Sequence, residues 1–275
     1  QPPGDIGANF VPWLGPYSSA DPLVVLQHFL WMARAGIGVA VVSWYPPSEA
    51  DPAQSASAER SDSLVPLLLR AGVSTGVKVA FHIEPYKRRT AQSVRKDLAY
   101  IYTTYGHSEA FYRSAKHGNR AVVYLYDSYH TSAKEWSAIL SPSGPQTIRG
   151  VPELDAVVLA LWVSGSNAAS SQGIFEFVSS AGFDGAYTYF AGSKFAWGSN
   201  PDHWPQISKK LATARPSPLL FSPSVGPGYV DTRVRPWNAA NTIPREQGAH
   251  YKAVFQAAVA TCPDFVSVTS YNEWH

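Results

Sequence analysis

At 275 residues the chain can bury one large core, and an α/β barrel needs about 250 residues, so a single domain over residues 1–275 is the simplest reading. Charged residues are 15% of the total and the formal net charge is +2, which gives no electrostatic footprint for nucleic acid or for an anionic membrane surface. The single cysteine, Cys262, excludes an intramolecular disulfide, and no run of about 18 apolar residues is present to cross a bilayer.

Residues 1–21 are broken by Pro2, Pro3, Gly4, Pro12, Gly15 and Pro16 and read as an irregular loop. Gln1 is not an initiator Met, so any targeting segment or anchor is expected upstream. Asp21-Pro22 then supplies an N-cap with Pro at the first helical position, and Leu23, Leu26, Phe29, Leu30 and Ala33 carry an apolar face to Gly36. The apolar run Ile37–Tyr45, closed by Pro46-Pro47, reads as a strand buried on both faces.

The same unit recurs. Residues 48–61 read as a polar loop, Asp62 opens a helix through Leu64, Leu67, Leu68 and Ala71, and 77–85 is the next strand. Thr90 caps a helix carrying Val94, Leu98, Ile101 and Tyr105, and 121–129 is a strand. Helix 132–140 leads to strand 156–163, helix 173–181 with Gly182 as its stop leads to strand 185–190, and helix 202–214 leads to strand 219–225. Helix 245–261 precedes the last strand, 265–271, read as buried, with Cys262 expected as a small buried residue between them.

Seven strands, each preceded by a helix, imply a parallel sheet and fit a (β/α)₈ TIM barrel whose first strand and last helix lie outside the chain. An open doubly wound sheet is the alternative. Its phosphate fingerprint, Gly-x-Gly-x-x-Gly, occurs nowhere, and Gly226-Pro-Gly228 has a proline where a phosphate needs an N–H, so no nucleotide cofactor is expected.

If the strands close into a barrel, their carboxyl ends meet at one mouth, where the chemistry of such folds is done. Trp44 and Tyr45 end the first run, His82, Glu84 and Tyr86 the second, and Tyr126, Asp127 and Tyr129 the third, followed by Trp162, Tyr187 and Tyr189. The last run leads straight into Asn272, Glu273, Trp274 and His275. With 9 Trp, 15 Tyr and 12 Phe in the chain, flat amphipathic rings are available to stack on sugar faces while carboxylates and histidines bond hydroxyls. That inventory points to a carbohydrate site.

Each of these residues also has a plain structural reading. Glu273 either does chemistry or caps a helix or pairs with an arginine; Asp127 is either a sugar ligand or a buried structural carboxylate; His82 is either a ligand or a satisfied core histidine. Pro85 ends the strand directly after Glu84 and keeps that carboxylate near the rim. In the loop Ser224–Asn238, residues Tyr229, Asp231, Arg233, Arg235, Trp237 and Asn238 form a binding surface, a loop closed by an Asp231–Arg ion pair, or both. His82-Ile-Glu84 is half a metal-ligand set, but no His-Glu-x-x-His and no cysteine cluster accompanies it, so no metal is expected. Gly72-Val-Ser-Thr-Gly76 has the Gly-x-Ser-x-Gly spelling but lies where a helix leads into a strand, not on the strand-to-helix elbow that exposes a serine nucleophile.

Seven segments resemble one known family. They are Val41-Val-Ser-Trp-Tyr-Pro-Pro47, Phe81-His-Ile-Glu-Pro-Tyr86, Tyr124-Leu-Tyr-Asp-Ser-Tyr129, Gly182-Phe-Asp-Gly-Ala-Tyr-Thr-Tyr-Phe190, Pro223-Ser-Val-Gly-Pro-Gly-Tyr229, Arg235-Pro-Trp-Asn238 and Asn272-Glu-Trp-His275. In collinear order over essentially the whole chain they resemble glycoside hydrolase family 99. The resemblance implies a (β/α)₈ barrel that cuts, with retention and without a metal, the α-1,2-mannosidic bond of glucosylated high-mannose N-glycans in the Golgi lumen. The product would be a glucosyl-mannose saccharide, and any membrane attachment would come from an upstream anchor.

In that family the counterpart of Glu273 is the base that deprotonates the mannose 2-hydroxyl on the way to an epoxide-like intermediate. The second carboxylate, general acid and then base, falls one position beyond His275. The 275 residues alone are therefore expected to be inert, and a glycan-binding, lectin-like barrel is the alternative function. The resemblance assigns Glu84 to the sugar pocket, and with it Tyr189, His82, Tyr86, Asp127, Trp44, Trp237, Asn238 and Asn272. A further option pairs Glu84 with Glu273 directly as the two carboxylates of a glycosidase.

Overall fold

The computed structural model describes residues 10–47, 55–163, 171–189, 192, 196–233 and 235–272, and in it helices alternate with parallel strands from Pro22 onward. The described residues form two compact units, one running from Tyr17 to Ala160 with Ser180–Phe183, the other made of the rest.

In the first unit Asp21 accepts from the N–H of Leu23 at 2.9 Å and starts α1 (Pro22–Arg34) as its composition predicts. Strands β1 (Val39–Trp44), β2 (Lys78–Ile83), β4 (Arg120–Leu125) and β5 (Ala156–Leu161) lie side by side in parallel, with Val39 opposite Lys78, Phe81 opposite Val123 and Ala121 opposite Ala156. Helices α2 (Ser55–Thr75), α3 (Ala91–Tyr105) and α4 (Ala133–Leu140) supply the crossovers. Strands β2, β4 and β5 are buried on both faces, as helix-covered parallel strands are.

Two expectations for this unit are corrected. Strand β1 is not buried on both faces: Val41 is 38% exposed, and among the described residues β1 pairs only with β2. Helix α2 begins at Ser55, not at Asp62. Its first turns, Ser-Ala-Ser-Ala-Glu-Arg-Ser, have no large apolar residue to mark a period, yet Ala, Glu and Arg are strong helix formers. Between α3 and β4 a short antiparallel strand, β3 (Arg113–Ser114), which the sequence pattern does not mark, folds back on β4 through Gly118 and Asn119, both in left-handed conformation.

In the second unit β6 (Gly185–Tyr187) pairs in parallel with β7 (Leu220–Ser222), and β8 (Ser224–Val225) with β9 (Ser267–Val268). The expected strand 219–225 is thus two. The chain changes partners at Pro223, whose carbonyl accepts from the N–H of Ser267 at 3.0 Å. Ser224 bridges the break by donating its N–H to Thr188 Oγ1 at 2.8 Å.

The last strand is shorter and more open than predicted. It has two residues, and Val268 is 39% exposed where a buried strand is expected. Helices α5 (Ser171–Ala181), α6 (Trp204–Ala212) and α7 (Ala249–Ala260) fall where their periodicity places them. Gly182 ends α5 at φ 83°, and a Cβ there would lie 2.9 Å from the backbone of Leu140, within the first unit, so glycine is required twice over. Cys262 is exposed, not buried. No helix among the described residues is long and apolar enough to cross a membrane.

Candidate active site

Parallel register builds the first polar cluster. Ser43 on β1, His82 on β2 and Tyr124 on β4 stand side by side, so their side chains share one face of the sheet. Glu84 lies two residues beyond His82 and points to that same face, its N–H extending the ladder to Trp44 O at 3.0 Å. His82 Nδ1 is 2.8 Å from Glu84 Oε1, and Ser43 Oγ donates to the same oxygen. Glu84 Oε2 carries no hydrogen bond among the described residues. The carboxylate is 12% exposed and His82 8%, so the pair is desolvated yet open at one edge. The ring of Tyr126 lies 5.3 Å from that of His82 and walls one side.

Beyond the end of β4, Asp127 sits in left-handed backbone conformation at φ 47°. Arg89 Nη2 donates to its carbonyl at 2.7 Å, and Tyr129 donates to its carboxylate at 2.6 Å. Burial first, then the bond to Asp127, pushes the Tyr129 phenol above the usual tyrosine range. Tyr86 is buried and its hydroxyl bonds Asp97 and Ser93 on α3. Burial and the neighbouring Asp97 push its phenol up as well.

Trp44 is corrected from a sugar-stacking residue to a core residue. It is fully buried, its ring is stacked on Tyr100 at 6.1 Å, and its Nε1 donates to Asp62 Oδ1 at 2.8 Å. The same carboxylate accepts from Tyr105 at 2.8 Å and from Tyr100 at 2.8 Å. Period-two alternation sends Trp44 toward α2 and α3 and leaves Ser43, which sequence reasoning misses, beside Glu84. Arg89 is missed too; its role is a contact to a carbonyl, which no motif marks.

A second polar cluster forms in the other unit, after β8. Tyr229 and Ile243 exchange backbone hydrogen bonds of 2.8 and 2.7 Å and close the base of a loop. Inside it Asp231 is 1% exposed and accepts from Tyr229 Oη at 2.8 Å, Arg235 Nη1 at 3.0 Å and Asn238 Nδ2 at 3.0 Å. Burial alone would raise its pKa, but the bonds from Asn238, Tyr229 and Arg235 outweigh it and hold the carboxyl below the usual range. The ion pair expected for this loop is thus present, as Asp231–Arg235. Asn238, predicted to bind substrate, is tied to it, and Trp237 beside it is 80% exposed. Tyr189 is half-buried and Asn272 is exposed. Glu273, Trp274 and His275 lie outside the described residues.

Sequence and fold both have known counterparts. Residues 1–275 match Glycosyl hydrolase family 99. Over its whole length the chain is 45% identical to a human protein described as glycoprotein endo-alpha-1,2-mannosidase-like protein and covers 57% of it. It is 42% identical to glycoprotein endo-alpha-1,2-mannosidase of Xenopus laevis, again over the whole chain, and covers 58% of that relative. The chain therefore spans little more than half the length of the curated relatives it matches. A solved structure of the GH99 endo-alpha-mannosidase from Bacteroides thetaiotaomicron superposes with a TM-score of 0.84 at 37% identity, covering 99% of this chain and 73% of that one. Parallel strands alternating with helices are thus those of a TIM-barrel type fold, and the chain belongs to glycosyl hydrolase family 99.

Proposed function

We propose that the protein is a retaining, endo-acting glycoside hydrolase that cuts the α-1,2-mannosidic bond of glucosylated high-mannose N-glycans and releases a glucosyl-mannose saccharide. The observation that carries this reading is the family match over residues 1–275, with relatives described as endo-alpha-1,2-mannosidases at 42% identity. The desolvated Ser43–His82–Glu84 cluster adds chemical support. Glu84 Oε1 already engages two partners, which leaves Oε2 to accept from a sugar hydroxyl.

In this reading Glu273 takes the proton from the mannose 2-hydroxyl. O2 attacks C1 of the same sugar as the bond from C1 to the bridging oxygen breaks, giving a 1,2-anhydro sugar. A second carboxylate, which the family's motif puts directly after His275, protonates the departing oxygen. It then takes a proton from water as that water attacks C1, and Glu273 returns its proton to O2. Two inversions at C1 give net retention. Glu84, His82, Tyr86, Asp127, Tyr189, Trp237, Asn238 and Asn272 hold the glycan, with Tyr86 acting through its ring because its hydroxyl is taken by Asp97. The reaction takes place in the Golgi lumen, on the strength of the family resemblance.

The test is incubation of the complete protein with a glucosylated high-mannose glycan. Release of a glucosyl-mannose disaccharide, formed first as the α-anomer by NMR, is the expected result, and Glu273→Gln abolishes it. Binding without release by the complete wild-type protein would overturn the hydrolase and leave a lectin.

A further inference from the structure

Trp237 is a large aromatic residue held almost entirely in solvent, 80% exposed, within the 3₁₀ stretch Pro236–Asn241. An exposed indole offers a flat apolar face with an N–H at its edge. Here Arg235 and Asn238, which flank it, are both tethered to one residue. Arg235 binds Asp231 through Nη1 at 3.0 Å and through its own N–H to Asp231 O at 2.7 Å. Asn238 binds it through Nδ2, 3.0 Å from each carboxylate oxygen. Tyr229, which closes the base of the loop with Ile243, gives Asp231 its hydroxyl. Asn241 in turn donates to Asn238 Oδ1 and locks the orientation of that amide.

We propose that Asp231 is a positioning residue: a buried anion that preorganises the loop Tyr229–Ile243 so that Trp237 stands out as a ready stacking face for a pyranose ring. The inference rests on the glycan-cleaving function proposed above and deepens it. Asp231 is too enclosed to touch sugar, at 1% exposure, and acts through Trp237 and Asn238. The amide and guanidinium donors around it keep it an anion at neutral pH. Fixing the loop before substrate arrives removes an ordering cost that would otherwise weaken binding.

The experiment compares wild type, Asp231→Asn, Trp237→Ala and the double variant in the complete protein, with a glucosylated high-mannose glycan as probe. In Asp231→Asn an amide nitrogen faces the Asn238 amide, so that clamp opens. The expected result is a KM raised about tenfold with kcat unchanged, in keeping with lost preorganisation rather than lost chemistry. Amide hydrogen exchange should quicken over residues 229–243, and Asp231→Asn should add much less in the Trp237→Ala background than in wild type, the remainder passing through Asn238.

Should Asp231→Asn not fold, Arg235→Gln removes one tether at a half-exposed side chain and is expected to move KM in the same direction by less. An effect of Asp231→Asn that persists undiminished without Trp237, or that falls on kcat, overturns the positioning role. Wild type that acts on the glycan while both single variants behave like it sinks this inference alone. Wild type that neither binds nor cleaves the glycan sinks the proposed function and this inference with it.

Discussion

His82 Nδ1 and Glu84 Oε1 stand 2.8 Å apart on one face of the sheet, from positions two residues apart in the chain. The spacing is what an extended backbone imposes, and Ser43 from the neighbouring strand completes the set through the in-register pair Ser43–His82. With Oε1 bound twice, Glu84 is oriented before any substrate arrives.

Glu84→Gln removes the charge from that acceptor while keeping its shape. A hydrogen bond to a charged group is worth about 1.5–3 kcal/mol, so KM for the glycan is expected to rise about 10- to 100-fold with a much smaller change in kcat. Steady-state kinetics on the complete protein check this. Outright loss of turnover with binding intact would instead place Glu84 in the bond-breaking step.

Asp62 collects Trp44 Nε1, Tyr105 Oη and Tyr100 Oη at 2.8 Å each. Asp62→Ala strands at least two buried donors, and each costs about 1–3 kcal/mol. The variant is expected to lose about 2–5 kcal/mol of stability in urea unfolding, whereas Asp62→Asn, which keeps an acceptor, loses less.

Gly198 packs against Trp162. A Cβ on it would fall 2.4 Å from Trp162 O and 2.5 Å from Trp162 Cδ1, and that indole is fully buried with no room to yield. Gly198→Ala is expected to destabilise by about 1–3 kcal/mol, read as a lower Tm in calorimetry.

Asp231 has a folded pKa below its ordinary value of 3.8. A depressed carboxylate pKa contributes stability that is complete well above pH 3.8 and is lost as the pH falls through the lower, folded value. Wild type should therefore exceed Asp231→Asn in stability at neutral pH, with the gap closing below about pH 4. Paired unfolding curves from about pH 2 to about pH 7 check the sign; a gap that widens on acidification would contradict it.

The alternation of helices and strands is readable in the sequence because the strands are short, apolar and bounded by turn residues, and the helices between them carry apolar spacing, with Asp21 and Thr90 as caps. What is not readable depends on neighbours. Within the run Val41-Val-Ser-Trp-Tyr45 nothing marks which parity joins the polar cluster; the register of β1 on β2 does, and it selects Ser43 and sends Trp44 into the core. Asp62 reads as a helix cap because the sequence cannot show that Trp44, Tyr100 and Tyr105 converge on it from other places in the chain. Glu84, His82 and the Asp231–Arg235 pair are legible because strand ends and a loop dense in donors and acceptors point to them directly.

Ser222 accepts from Thr188 N–H on the β6 side and Pro223 accepts from Ser267 N–H on the other, so the chain passes from one neighbour to the next and β8 pairs with β9. The loop that displays Trp237 leaves from β8, and the segment that leads to Glu273 leaves from β9. Both therefore start from one short stretch of paired backbone, Ser224–Ser267 and Val225–Val268, and take their point of departure from the same two rungs.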